Sequence, residues 1–331
     1  MPEPTPPAAA ASEAQNTGYP VSGWVEAGLY VFAIAVLSLA YAVGNVHGAH
    51  PIAFILYAML VSAVVLLAVN GPGPDALQII LAWQSWLVGA GIILMEVFYY
   101  MVLQHVAPAY GSLQVRIAIP LSMLIGWLMF SRRPPRIAVI GALVIVAGIA
   151  PLFLLVEPAH RLPALVLSFS AGFAFNLRSF ATEFHPWNRR AKTVRDKLRI
   201  TGLVVLVTAG ASLALTGLLT AAIAAGLLAP MSLVPTPAQM LHGPTIVLGL
   251  TVGGLLLTAM SYLSFSSVVK ITTENFAATS AFTPLATLLV QIAGTAVGLI
   301  PAYTTTPGMI ISMAVVIGGV FLILSAVRRR R

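Results

Sequence analysis

Residues 137–156, IAVIGALVIVAGIAPLFLLV, contain no charged side chain. A helix of that length rises about 30 Å, the thickness of a bilayer's hydrocarbon core. Just before it stands a short basic turn, Arg132-Arg133-Pro134-Pro135-Arg136, preceded by a second apolar run, Ala107–Phe130. The reading is a pair of membrane-spanning helices joined by a basic turn. A porin-like barrel is excluded, because its strands alternate polar and apolar residues over about ten positions.

The rest of the chain agrees. Its 331 residues include 17 basic and 9 acidic ones, and 59% are apolar. About a quarter of a soluble domain is charged, because its surface must face water, so a water-soluble or disordered protein is ruled out. The net charge of +8 would suggest nucleic acid in a soluble chain. Here topology accounts for it, and no nucleic-acid partner is expected. Without cysteine, disulfide and thiolate chemistry is closed to this protein. Residues 1–22 are rich in Pro and Ala and lack Lys and Arg. They read as a disordered tail and not as a signal peptide.

Windows of about 20 apolar residues give ten spans, near Trp24–Gly44, Pro51–Val69, Ile79–Leu103, Ala107–Phe130, Ile137–Val156, Leu162–Phe184, Ile200–Leu228, Thr245–Val269, Phe276–Ile300 and Gly308–Val327. With the N-terminus inside, the inner loops hold Arg132, Arg133, Arg136, a basic loop over 185–199, Lys270 and Arg328–Arg331. Only Arg161 falls outside, and Arg116 and Arg178 fall within helices. This parity sets both termini in the cytoplasm of a cell whose inner membrane the protein spans. The basic segments are expected to touch anionic headgroups.

Ten spans divide into two fives, 23–157 and 158–331. Pro120 sits mid-helix in the fourth span and Pro284 in the ninth; Gly89 and Gly253 lie 31 residues before them. Gly148 and Gly318-Gly319 occupy the middles of spans five and ten. An odd count makes the second copy enter with opposite polarity, as in the inverted repeats of secondary transporters. The expected fold is therefore all-α and polytopic, with ten transmembrane helices as two inverted five-helix repeats.

Ile119-Pro120-Leu121, the basic turn and then Gly141-Ala-Leu-Val-Ile-Val-Ala-Gly148 resemble the ten-helix EamA-type permeases of the drug/metabolite transporter superfamily. That family ends its first repeat in a similar Gly-Ala-Leu…Ala-Gly run and centres its ninth helix on a proline, as around Pro284. One departure is plain: members place a Glu just after the fourth helix, where this chain has Arg132-Arg133. The resemblance implies alternating-access movement of small organic metabolites, often outward, across a bacterial inner membrane.

Ionisable groups in hydrocarbon are functional candidates by default, a mid-helix Arg being disfavoured by about 2.5–3.5 kcal/mol. Arg116, one turn before Pro120, can bind a carboxylate or phosphate; alternatively it pairs with Glu96 of the third helix. Arg178, in the sixth helix, either faces the cavity or snorkels to the inner headgroups. Asn176 shares a face with Gly172, Ser179 and Glu183, about 160° from Arg178. Glu96, Tyr99 and Tyr100 form one stripe, with Glu96 either a proton carrier or a permanent counter-ion. Tyr41, Asn45, Tyr262 and Gln291 are polar cavity liners or interhelical hydrogen-bond groups. Pro120 and Pro284 are the expected hinges.

Other signals carry less. Gly71-Pro72-Gly73-Pro74 imitates a dinucleotide fingerprint, but no strand precedes it and its prolines lack donors. His47 and His50 have no third ligand and read as a turn, so no metal or other cofactor is expected. Gly249/Gly253 and Gly294/Gly298 read as packing glycines, and Glu274 as an N-terminal helix charge. The chain thus reads as a secondary transporter exporting small polar, anionic metabolites, monomeric or homodimeric. A flippase for a lipid-linked anion is the alternative. An intramembrane enzyme is disfavoured because neither paired Asp-rich motifs nor His-Glu-x-x-His occurs.

Overall fold

The computed structural model describes residues 20–69, 71–303 and 305–328. Ten helices in it are long and apolar enough to cross a membrane, and no strand occurs among the described residues. The protein is an all-α, ten-helix polytopic membrane protein. The spans are α1 (Val21–Val46), α2 (Pro51–Ala68), α3 (Trp83–Val102), α4 (Pro108–Phe130) and α5 (Arg136–Leu155). They continue as α6 (Pro158–Glu183), α7 (Val194–Ala224), α8 (Gly243–Ile271), α9 (Thr273–Ala296) and α10 (Pro307–Arg328). Hydrocarbon offers no partner to backbone N–H and C=O, which is why every span is helical. Leu128, Leu143 and Phe321 are among the large apolar side chains left facing outward.

Several boundaries differ from the sequence reading. Val21 and Ser22 already belong to α1, and the rest of the expected tail, like Arg329–Arg331, lies outside the described residues. The third span starts at Trp83, because Ala82 is extended and separates α3 from a short helix, Ala76–Leu81. Side chains mend that break: Ser85 Oγ donates to the Ile79 carbonyl at 2.5 Å and Trp86 Nε1 to Ile80 at 2.9 Å. Segment 185–199 is largely helical, with a short helix at Pro186–Arg190 and the start of α7. Thr193 and Asp196 close a reciprocal capping box there, which fixes where α7 begins.

Two spans are broken near their middles. In α4 a 3₁₀ turn, Val115–Ile117, precedes Pro120; in α9 a 3₁₀ turn, Ser280–Phe282, precedes Pro284. Proline has no N–H and its ring crowds the carbonyl four residues back, so the helix must tighten or open at that point. A third irregularity is a π-helical turn in α8, Gly249–Gly253.

The pairings are specific. α3 packs along α6 and α1 along α8, while α5 packs on α10 and α2 on α7. Gly91 sets the α3–α6 approach: a Cβ there would lie 2.9 Å from the backbone nitrogen of Arg178. Gly141 and Gly319 meet across α5 and α10, where a Cβ on either would meet the other's carbonyl oxygen. Gly249 and Gly253 pack on Phe54 of α2, and Gly294 on Leu39 of α1. Gly298 is different: its φ of +74° and open surroundings make it the terminator of α9, not a packing residue.

Candidate functional site

The site is built on the two breaks. Pro284 leaves the Ser280 carbonyl, four residues back, without its helical donor. Arg116 supplies one: Nη1 donates to Ser280 O at 2.5 Å and to Ser280 Oγ at 2.7 Å. Its Nε donates to Ser112 O at 2.9 Å within α4. The half-helix Thr273–Thr279 and its 3₁₀ extension also aim their negative end toward this guanidinium. Arg116 is thus a tie between the broken helices, and it is not the partner of Glu96.

Glu96 pairs with Arg178 instead. Its Oε1 stands 3.9 Å from Arg178 Nη1, too far for a hydrogen bond, while Oε2 accepts from Tyr41 Oη at 2.7 Å. Both charged side chains are buried. Arg178 faces inward and does not snorkel; its Nη2 donates to Tyr30 Oη at 2.8 Å. The guanidinium carbon lies 5.6 Å from the ring centroids of both Tyr30 and Phe175, which pack on Phe276. This is an aromatic cage of the kind that holds a cation by its ring faces. Buried polar atoms without a hydrogen-bond partner include Glu96 Oε1, Arg178 Nε, Asn176 Oδ1, Ser179 Oγ, Thr283 Oγ1 and Thr287 Oγ1.

The other expected residues divide. Tyr99 shares a 2.8 Å hydrogen bond with Ser38 of α1, beside the same cluster. Asn176 Nδ2 donates to Ala118 O at 2.9 Å and Gly172 O at 3.1 Å, fastening α6 to α4 just beyond its break. Gln291 Oε1 accepts from Ala109 N at 3.0 Å and so caps the start of α4. Tyr262 sits apart from the cluster, near Glu26 and Ser266. Asn45 lines an open cavity of about 490 Å³, together with His50, Gln104, Gln239 and Tyr303. Burial holds the His50 imidazole below its ordinary pKa. Tyr41, Phe54 and Tyr100, with centroids 4.9–5.7 Å apart, form an aromatic layer beside it. Tyr100 Oη reaches the cavity wall at Ala49 O (3.3 Å), and Tyr41 reaches Glu96 on the other side.

The opposite, basic end is tied by ions that the sequence reading treated as separate charges. Arg132, after α4, bonds Glu183 Oε1 of α6 at 2.5 Å and Glu274 Oε2 of α9 at 3.0 Å. Burial opposes its charge, and the two carboxylates outweigh burial and raise its pKa. Glu183 Oε2 also accepts from Thr273 N (2.9 Å) and Thr273 Oγ1 (2.7 Å). Glu274 is therefore a bridge to Arg132 besides a charge at the start of α9. A second tie joins Glu26 of α1 to Lys270 of α8 at 2.6 Å. His185 is buried there against Ser85 Oγ (2.9 Å), and burial lowers its pKa to about 4.

No family model and no curated protein matches the chain. A solved crystal structure superposes over 93% of this chain and 99% of its own, with a TM-score of 0.57 and 19% identity. That likeness is one of fold.

Proposed function

We propose that the protein is a secondary transporter of small organic anions, working by alternating access. One observation carries this reading. Arg178 is buried, its only carboxylate partner among the described residues is 3.9 Å away without a hydrogen bond, and its Nε has no acceptor there. A guanidinium fork with an unfilled side fits a carboxylate or phosphate. Arg116 is committed to backbone carbonyls and adds positive field nearby.

The architecture supports the same reading. α3–α6 and α8–α1 are the pairs that an exchange of halves would interchange, and the breaks of α4 and α9 face each other through Arg116 and Ser280. Such pairings are what an inverted five-helix repeat with its solute site between the halves would give. On this reading the chain is a divergent EamA-type permease of the drug/metabolite transporter superfamily. Its basic end and both termini face the cytoplasm of a bacterial inner membrane. The pose is then open to the outside at the 490 Å³ cavity and closed inside by the ties of Arg132 and Lys270.

The test is counterflow in proteoliposomes with radiolabelled lactate, succinate and glycerol 3-phosphate, against glucose and choline. Exchange restricted to the anions and lost in Arg178→Met is expected. Exchange of glucose or choline that survives in Arg178→Met would overturn the reading.

A further inference from the structure

We propose that Glu96 is a proton-binding site and that its proton travels with the anion held at Arg178; the coupling rests on the transport reading above. The geometry begins with Arg178, the single cation that faces Glu96 among the described residues. Around its carboxylate are Tyr30 and Tyr41 from α1, Tyr99 from its own helix and Arg178 from α6, with Tyr100 packed on Tyr41. Arg116 lies beyond Tyr99 and is held by Ser112 and Ser280. α2 brings the uncharged Phe54 to this cluster, and α7 brings Thr208 to Gly89, two turns away.

An anion that fills the guanidinium fork takes the place Glu96 now holds at a distance. The carboxylate is then buried without a cation, a state disfavoured by several kcal/mol. The relief available is one proton on Oε1, the oxygen that has no hydrogen-bond donor. Oε2 keeps the Tyr41 hydroxyl throughout. The charge balances: Arg178⁺ and Glu96⁻ become Arg178⁺ with the bound anion and a neutral Glu96 carboxylic acid. One anionic charge and one proton enter together. When the anion leaves on the other side, the proton leaves Oε1 and the ion pair re-forms. A monocarboxylate thus moves without net charge.

The experiment has two arms, wild type against Glu96→Gln, with Glu96→Asp as a control that keeps a carboxyl group. In the first arm, infrared spectra of the protein in lipid are followed from about pH 8 to about pH 5, spanning the range in which burial moves carboxylates. A protonated-carboxyl band that grows on acidification and on adding lactate, and is missing from Glu96→Gln, is expected. A wild-type spectrum identical to Glu96→Gln at every pH overturns the proton site.

In the second arm, proteoliposomes take up radiolabelled lactate under a gradient of one pH unit. This gradient drives about tenfold accumulation at one proton per lactate. Glu96→Gln should lose that accumulation and keep counterflow, with lower KM because the competing carboxylate is gone. Lactate exchange that ignores the pH gradient and follows the electrical potential overturns the coupling and leaves transport standing. If wild type exchanges none of the three anions, the transport reading and the coupling fall, and the infrared arm alone decides the proton site.

Discussion

The α4–α9 crossing and the α3–α6 seam each bury one guanidinium, and the two are used in opposite ways. At the crossing, Arg116 spends Nε and Nη1 on carbonyls and a hydroxyl at 2.5–2.9 Å. At the seam, Arg178 keeps its carboxylate at 3.9 Å and leaves Nε without an acceptor. Burial alone does not separate them. The use of Nε does: bonded to Ser112 in Arg116 it helps hold helices together, and without an acceptor in Arg178 it is ready for a solute.

The largest effect expected is at the crossing. Arg116→Met removes the side-chain donor of two buried carbonyls and should lower stability by about 2–6 kcal/mol, each lost partner being worth about 1–3 kcal/mol. Thermal unfolding in detergent reads this, and a wild-type melting temperature would break the comparison. Replacing the whole seam pair, Arg178→Met with Glu96→Leu, should change stability by less than about 2 kcal/mol, since apolar substitutes for buried pairs are near neutral. The same double variant should exchange no anion.

A subtler change sharpens the seam. Gly91→Ala puts a Cβ 2.9 Å from the Arg178 backbone and should lower stability by about 1–3 kcal/mol, as overpacking does. Anion exchange should fall further than that loss explains, because Glu96 moves relative to Arg178. His185 gives a pH effect. With its pKa near 4 in the fold and about 6.5 unfolded, the unfolded chain binds more protons between those values. Stability should therefore drop as pH falls from about 6.5 toward 4, by at most about 1.4 kcal/mol per unit, and His185→Gln should flatten that slope. Smallest is Lys270→Gln at the mostly buried Glu26 pair, about 1 kcal/mol, because Ser266 Oγ still donates to the same Glu26 oxygen.

The ten spans were legible because run length in hydrocarbon is a one-dimensional property of the chain. The break at Ala82 was not, for neither Pro nor Gly marks it; Ser85 and Trp86 make it tolerable by accepting the role of donors to Ile79 and Ile80. Arg116, Arg178 and Glu96 stood out as charges in apolar runs, but which carboxylate met which cation depends on α3 lying along α6, 82 residues apart in sequence at that pair. Ser280 had a readable signal: it is four residues before Pro284, where a carbonyl must seek a donor. Gln291 reads as a cavity liner because an amide suits either role, and Asn176 is placed in sequence only by its helix face; the backbone groups both fasten are set by helix packing.

Between α8 and α9 stands a single residue, Thr272, with φ of +67° and ψ of 160°. A β-branched side chain is strained in that region, and one residue spans less than 4 Å. Such a link leaves no slack for one helix to enter the bilayer while the other waits. During synthesis α8 and α9 are then expected to enter the membrane together as a preformed hairpin, with Lys270 and Glu274 kept at the same face.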